Sequence, residues 1–323
     1  MQYGEKSEKG MLENLHKNID GYNNKFGQNC VQSGSWNNSS VIAICTPVMQ
    51  RVHQMCPNSA ELVFMDSSGC LDKDNHRLFI LMTHSAAGGL PLGCFITSSE
   101  SLGAIKYGLE LLKSLIKVPF YGVGYPQVFM TDDSKAERGA IAAVFPQSEL
   151  MLCTFHVLQA VWRWAHESKH GLHVDQRPLL MKHVKAMMYA LEKERMEQEY
   201  QILVNQEFVE KNQALTAYIQ KLYQRNLEWC LCHRLHIMRG NNTNNYVESG
   251  FRIIKDNVFQ RLKAYNLTQL TDFIVQRWSA HYIRKLLDIS NNRYKPYQYT
   301  LNSFPATSIP AEDVELVGTG ICI

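Results

Sequence analysis

The sequence has no long apolar run, no marked charge imbalance and no regular cysteine spacing. Its 323 residues are 45% hydrophobic and 20% charged, values typical of globular proteins. No stretch of apolar residues is long enough to cross a membrane, and the polar first residues lack the apolar segment of a signal peptide. The nine cysteines are scattered, which predicts reduced thiols in an intracellular protein.

The net charge of +3 is too small by itself to indicate a nucleic-acid-binding protein. The charge is unevenly distributed, however, because residues 221–295 hold 13 Lys and Arg against 5 Asp and Glu, a surplus of +8. Such a surplus suits a partner rich in phosphate. A solvated helical face would have the same composition, so both interpretations stay open here.

Apolar runs bounded by turn residues predict five strands, of which the first three form an antiparallel meander. The predicted strands span residues 61–66, 77–84, 90–97, 127–131 and 149–155. Helices are predicted near Pro47, after residues 98–101, after Ser134 and after the fifth strand. Ser134 has Glu137 three residues later, which is the pattern of a capping box.

The composition divides the chain into five segments. Residues 1–40 are poor in aliphatic side chains and are expected to be a flexible lead-in. The first part of an α/β core is predicted at 41–177. An all-helical insertion is predicted at 178–240, because strand alternation is absent there and glycine is missing from 178–232. A helix carrying Glu248 and a closing helix are predicted at 241–290, and an irregular tail at 291–323.

An Asn-rich segment leads into an amphipathic helix that carries Glu248. Its apolar positions recur with helical spacing, at Val247, Phe251, Ile254, Val258 and Leu262. Glu248, Arg252 and Lys255 share the polar face. Two interpretations of Glu248 are open: with Asn245 as the N-cap it is a capping-box glutamate, or it is a functional carboxylate on a basic helix.

Two aspartates end strongly apolar strands. Asp66 follows the first predicted strand and Asp132 follows the fourth, and ligands gather at the carboxyl ends of strands in sheets flanked by helices. Each could equally be a turn residue. Together with Glu248 they make three carboxylates, the set that two divalent metals need when they clamp a phosphodiester.

Seven segments of the chain resemble the Mutator-like (MULE) transposases, and the resemblance runs from about residue 46 to residue 293. The matching segments are TPVMQRVH (46–53), VFMD (63–66), GLPLG (89–93), VFMTD (128–132), FP (145–146), LCTFH (152–156) and TNNYVE (243–248). The family has a ribonuclease-H-like catalytic domain with a DDE triad.

The resemblance implies a fold, a site and a function. The fold is an α/β ribonuclease-H-like mixed sheet flanked by helices, with an all-helical insertion before the last catalytic helix. The triad is Asp66, Asp132 and Glu248 binding Mg²⁺ or Mn²⁺, and Cys153 with His156 form the Cys-x-x-His pair of the family. The implied partner is double-stranded DNA in the nucleus, with self-association as a further expectation and no membrane.

The implied activity is cleavage of DNA strands and strand transfer. Arg252 and Lys255 are our own inference for phosphate contacts, from helical spacing. The zinc fingers that many family members carry outside the catalytic domain do not occur in this sequence, so an isolated or truncated core is expected and end-specific DNA recognition is in doubt. A non-catalytic DNA- or protein-binding module with the same fold is the alternative function.

Two further motifs suggest zinc, although zinc is not expected. His166, Glu167 and His170 form an H-E-x-x-H pattern, in which histidines one helical turn apart bind zinc in a metalloprotease. Here Gly171 follows directly and no third ligand is evident, so a protease is a remote alternative. Cys230, Cys232, His233 and His236 are too closely spaced to share one helical face.

Overall fold

A seven-stranded mixed sheet forms the centre of the protein. The computed structural model describes residues 8–259, 264 and 266–293. Its strands are β1 Val31–Trp36, β2 Ser39–Ile44, β3 Leu62–Ser68, β4 Arg77–Thr83, β5 Leu90–Thr97, β6 Val128–Thr131 and β7 Glu149–Leu152. They lie in the order β1-β2-β5-β4-β3-β6-β7.

Fifteen α-helices occur in the described ranges. They are α1 Glu8–Phe26, α2 Pro47–Met55, α3 Asn58–Glu61, α4 Leu102–Leu115, α5 Lys135–Val144, α6 Thr154–His166, α7 Gln176–Met188, α8 Lys193–Val204, α9 Glu207–Glu210, α10 Gln213–Tyr223, α11 Asn226–Trp229, α12 Leu231–Met238, α13 Asn245–Arg252, α14 Leu267–Asp272 and α15 Ser279–Ser290. A π-helical stretch, Ile253–Val258, continues α13, and another, Phe273–Trp278, joins α14 to α15.

The pairing of the strands confirms the predicted fold class. β3, β4 and β5 form the antiparallel meander, and β6 pairs parallel to β3 and β7 parallel to β6. This mixed sheet flanked by helices is a ribonuclease-H-like α/β fold. The predicted fifth strand is too long, because β7 ends at Leu152 and Cys153 is the N-cap of α6.

The core lies between the central strands and the helices that cover them. All eight residues of β5 are buried, as a strand covered on both faces requires. The Phe79 and Phe95 rings stack with centroids 4.6 Å apart. Gly108 lets α4 come close to this pair, because a Cβ there would lie 2.4 Å from Cδ2 of Phe95.

The prediction of a flexible lead-in is wrong for the described part of residues 1–40. α1 occupies 8–26, and β1 and β2 form a hairpin that adds two strands to the sheet. The hairpin turn consists of Asn37 and Asn38, both with positive φ, 43° and 65°. Asparagine tolerates that conformation, and two such residues between strands are a hairpin signal that a reading based on composition misses.

Residues 176–238 fold as the helices α7 to α12, in agreement with the predicted all-helical segment. Their apolar side chains form one core with α6, in which Val161, Leu180, Leu215 and Trp229 are fully buried. No described helix is long and apolar enough to span a membrane. The predicted irregular tail lies, from residue 294 onward, outside the described residues.

Candidate active site

Asp66 and Asp132 occupy matching positions on neighbouring parallel strands. The register pairs Phe64 with Met130, and each aspartate comes two residues later. Side chains two residues apart on a strand point to the same face. Since paired strands lie about 4.8 Å apart, the parallel pairing of β3 and β6 brings the two carboxylates to one edge of the site.

Glu248 lies on a helix that covers the same face of the sheet. The Tyr246 ring at the start of α13 packs edge-on against Phe64, with centroids 5.1 Å apart, and Phe64 shares its face of β3 with Asp66. Gly250 permits the close approach, because a Cβ there would lie 2.7 Å from Sδ of Met82 on β4. The helix therefore presents Glu248 toward the aspartates.

The N-cap of α13 is Asn244, one residue earlier than predicted. Glu248 is then the fourth helical residue, and its backbone N–H donates to the carbonyl of Asn244 at 3.1 Å. A capping box needs reciprocal side-chain bonds at the helix start, and the Asn244 side chain makes no capping hydrogen bond, so the capping interpretation is wrong. The predicted apolar stripe is buried at Val247, Phe251, Ile254 and Val258, and Leu262 lies outside the described residues.

The three carboxylates interact electrostatically. The pKa of Asp66 is raised to about 6, first by burial and further by the negative charges of Asp132 and Glu248. The Ser67 N–H, which donates to Oδ1 of Asp66 at 2.7 Å, and the charge of His156 act in the opposite direction. Sequence positions 66, 132 and 248 are thus brought into one charge cluster.

The donor chemistry of this cluster fits a divalent metal. Carboxylate oxygens are the ligands that Mg²⁺ and Mn²⁺ prefer. In the described ranges, one group of three residues has all its ligand atoms within 4.8 Å of one another, and it consists of Asp72, Asp74 and His76. The three triad carboxylates are not such a group, so their oxygens are spread over a longer distance. The fit to a metal therefore rests on the chemistry of the donor atoms.

The Asp72 group has a structural explanation. Oδ1 of Asp72 accepts the backbone N–H of His76 at 2.9 Å, and Oδ2 lies 2.6 Å from Nδ1 of the same residue. These two bonds close the loop between β3 and β4. Asp74 is exposed.

The Asn-rich loop before α13 is held by residues at the start of α6. Asn242 accepts hydrogen bonds from both the backbone N–H and the hydroxyl of Thr154, at 3.0 and 2.9 Å. Asn244 is fully buried, its amide donates to the carbonyl of Met65 at 3.2 Å, and its backbone N–H donates to Sγ of Cys153 at 3.4 Å. The loop is therefore fixed to the strand of Asp66.

The predicted Cys153 and His156 pair lies beside the acidic cluster. Burial raises the pKa of the Cys153 thiol, but hydrogen bonds with His156 and from the Asn244 N–H lower it overall. The pKa of His156 is raised by its bond to Cys153, and the charges of Asp66 and Asp132 contribute. The charges of the two aspartates thus favour the protonated form of His156, while Cys153 supports the loop of Glu248.

Glu137 is a fourth carboxylate that the sequence prediction missed. Ser134 is the N-cap of α5, as predicted, and accepts the Glu137 N–H at 3.3 Å. The Ser134 N–H, however, donates to Oδ1 of Asp132 at 3.0 Å. Oε1 of Glu137 accepts from the Ser67 hydroxyl at 3.1 Å. The carboxylate therefore lies toward β3 and not back onto its cap, and no local pattern reveals that direction.

The pKa of Glu137 is raised to about 8, first by burial and then by the charges of Asp132 and Asp66; Ser67 and Arg77 lower it in part. The negative charges that raise this pKa are two of the three predicted triad carboxylates. Glu137 thus belongs to the same electrostatic cluster.

A cavity with basic lining opens beside His156, between α5, α6 and the α10–α11 region. Lys135, Arg138, Lys221 and Arg225 line it, together with Asp133, Tyr218 and Trp229. Arg225 binds both oxygens of Asp133 at 2.7 Å, and Arg138 binds Glu228 at 2.6 Å. Asp133 is thus committed to an arginine and lies outside the triad. Lys135 and Lys221 are exposed.

The cations predicted to contact DNA phosphate lie on the helix of Glu248. Arg252 ends α13 and Lys255 lies in the π-helical stretch that follows it. Both side chains are exposed.

A protease site is not formed: α6 ends at His166, Glu167 is extended, and residues 168–170 form a separate turn. The histidines are not one helical turn apart, so that alternative is wrong. Cys230 is buried in the helical core.

The fold and this cluster define a class: a ribonuclease-H-like domain with carboxylates gathered at the edge of its central strands. The family model of the MULE transposase domain matches residues 72–160. The match spans β4 to α6, including Asp132, Cys153 and His156. It confirms the resemblance to the Mutator-like transposases over these residues, whereas Asp66 and Glu248 lie outside the match. No curated protein matches the chain.

Proposed function

We propose that this protein is a metal-dependent DNA strand transferase of the Mutator-like class. The observation that carries the proposal is the convergence of Asp66, Asp132 and Glu248, through the register of β3 with β6 and the packing of α13 over the same face. Three clustered carboxylates to which no arginine or lysine of the described ranges is bound suit a divalent cation.

Asp66, Asp132 and Glu248 are the residues that would hold Mg²⁺ or Mn²⁺. When bound, two such ions supply stabilisation of the attacking and leaving oxygens during cleavage of a phosphodiester and attack of a 3′-hydroxyl on target DNA. The Ser67 N–H holds Oδ1 of Asp66, and the charges of the two aspartates favour the protonated form of His156. Cys153, Thr154 and Asn244 keep the helix of Glu248 in register with β3.

Double-stranded DNA is the proposed substrate. Arg252 and Lys255 extend from the helix of Glu248, and Lys135 and Lys221 line the cavity beside His156. Exposed cations on two sides of an acidic cluster attract the phosphate backbone. We also propose that the protein acts in the nucleus and that its copies associate on DNA, because two DNA ends must be joined to one target.

The test is metal binding combined with DNA cleavage. Calorimetric titration with Mn²⁺ and nicking of supercoiled plasmid are measured for the wild type, Asp132→Asn and Asp133→Asn. Asp132→Asn is expected to lose both metal binding and nicking. Asp133→Asn is the matched control, because its side chain is bound to Arg225, and it should keep both.

If the wild type binds DNA but neither binds metal nor nicks it, the proposal is wrong and the protein is a non-catalytic binding module.

A further inference from the structure

Glu137 is a buried acid without a neutralising partner. The residue is 4% exposed, and Oε2 makes no hydrogen bond in the structure. Among the described residues no lysine, arginine or histidine lies within ion-pair distance of it; Arg77 is bound instead to Glu100. A buried polar atom left unpaired costs about 1–3 kcal/mol, so a fold that keeps one needs a reason for it.

The neighbours of Glu137 make this position less favourable still. Asp66 and Asp132 are close enough for their charges to act on it. The Ser67 hydroxyl holds Oε1 and leaves Oε2 as the free donor atom. Ser67 directly follows Asp66 on β3, so its side chain leaves the opposite face of the strand, and Glu137 approaches the acidic cluster from the α5 side of the sheet, where the Ser134 N–H at the start of α5 binds Asp132.

We infer that Glu137 is a fourth carboxylate of the divalent-metal site, with Oε2 as its donor atom toward the metal or a water bound to it. This rests on the proposed function for the identity of the site. The inference adds Glu137 to the triad, from α5, the helix that follows Asp132. It makes Ser67 the residue that orients Glu137.

A role for Glu137 in metal binding predicts a specific pattern of affinities. Mn²⁺ affinity is measured by calorimetry for the wild type, Glu137→Gln, Ser67→Ala and Glu199→Gln. Glu137→Gln keeps the shape and the acceptor for Ser67 but replaces Oε2 by an NH₂ group. It is expected to weaken Mn²⁺ binding roughly 10- to 100-fold, the range found when groups around a metal are changed. Ser67→Ala should weaken it less.

Glu199→Gln is the matched control, because Glu199 is a similarly buried glutamate on α8, bound to His183 and Arg195. It should leave Mn²⁺ affinity unchanged. Circular dichroism checks that each variant is folded. If Glu137→Gln does not fold, Glu137→Ala and Ser67→Ala carry the test, and wild-type affinity in both would overturn the inference.

The outcomes separate this inference from the proposed function. Wild-type Mn²⁺ affinity in Glu137→Gln, with DNA nicking by the wild type intact, overturns the role of Glu137 alone. Metal binding that depends on Glu137 without any nicking supports the fourth carboxylate and overturns the strand-transferase proposal. A wild type that binds no metal overturns both.

Discussion

Two buried titratable side chains illustrate how partners decide a residue's role. His53 has both ring nitrogens satisfied, because Nε2 lies 3.0 Å from the carbonyl of Leu92 and Nδ1 accepts the Phe120 N–H at 3.1 Å. It is a neutral structural link between α2, β5 and the turn at Phe120. Glu137 has one oxygen without a partner and lies in a charge cluster. Both polar atoms of His53 are therefore satisfied within the protein, whereas Oε2 of Glu137 is available to a ligand.

His53 predicts how stability depends on pH. Burial lowers its pKa from 6.5 to about 4, so the unfolded chain takes up a proton more readily than the folded one. Its contribution to stability is complete above pH 6.5 and is lost as pH falls toward 4, by roughly 3 kcal/mol in all. Urea unfolding at pH 7 and pH 4.5 should show this loss in the wild type and a smaller one in His53→Gln. An equal loss in both would contradict the role of His53.

At the scale of elements, glycine positions control how closely helices approach the sheet. A Cβ at Gly108 would meet the Phe95 ring, which is itself stacked on Phe79 and cannot move aside easily. Gly21 lies in α1 with nothing within 4 Å of its added Cβ. The two glycines are thus a matched pair, one needed for packing and one free for substitution.

Gly108→Ala is expected to lower the free energy of unfolding by about 1–3 kcal/mol, as overpacking of a core does. Gly21→Ala should raise it by roughly 0.5–1 kcal/mol, because alanine favours an exposed helix. Thermal or urea unfolding of the two variants measures both effects. Equal effects of the two substitutions would show that α4 does not pack as closely on β5 as the structure has it.

The loop before α13 provides a second prediction at this scale. Thr154→Val removes the hydroxyl that binds the carbonyl of Asn242 and keeps the volume nearly constant. It should cost about 1 kcal/mol of stability, the usual net value of such a bond. Amide hydrogen exchange should quicken in residues 242–248 and stay unchanged in β4. Uniform exchange in that loop before and after the substitution would argue against the clamp.

At the scale of the whole molecule, the helical region is joined to the sheet next to Asp132. Arg225 binds Asp133, and Glu228 binds Arg138. The buried Arg234 donates to the carbonyl of Leu152 at 2.6 Å. The region formed by α7 to α12 therefore contributes the Lys221 wall of the cavity beside His156. The proposed function then predicts that this wall guides a DNA strand toward the acidic cluster.

Lys221→Ala should weaken DNA binding uniformly across sequences and lower the slope of log affinity against log salt by about 1, the effect of one lost phosphate contact. Lys17→Ala on α1 is the control, since it removes an exposed lysine at the other end of the sheet. Fluorescence anisotropy with labelled duplex DNA at several salt concentrations measures both. Identical slopes for the wild type and Lys221→Ala would exclude this path for the strand.

The sequence by itself determined the periodic elements and the positions of the acidic residues. The meander, the helical region and the strand-end aspartates at 66 and 132 follow from apolar periodicity and turn residues, which act locally. Asn37 and Asn38 are also a local signal for a hairpin, but the composition of residues 1–40 favoured a flexible segment instead. The N-cap of α13 is Asn244, one residue before the position that the pattern predicts.

Only the tertiary structure decided which of these residues meet. The parallel register of β3 with β6 aligns Asp66 with Asp132, and the packing of Tyr246 on Phe64 brings Glu248 over them. The direction of Glu137 depends on Ser67, seventy positions earlier in the chain. Contacts of this kind join distant segments, and local propensity carries no information about them, because a side chain's partner is set by packing and charge in the folded chain.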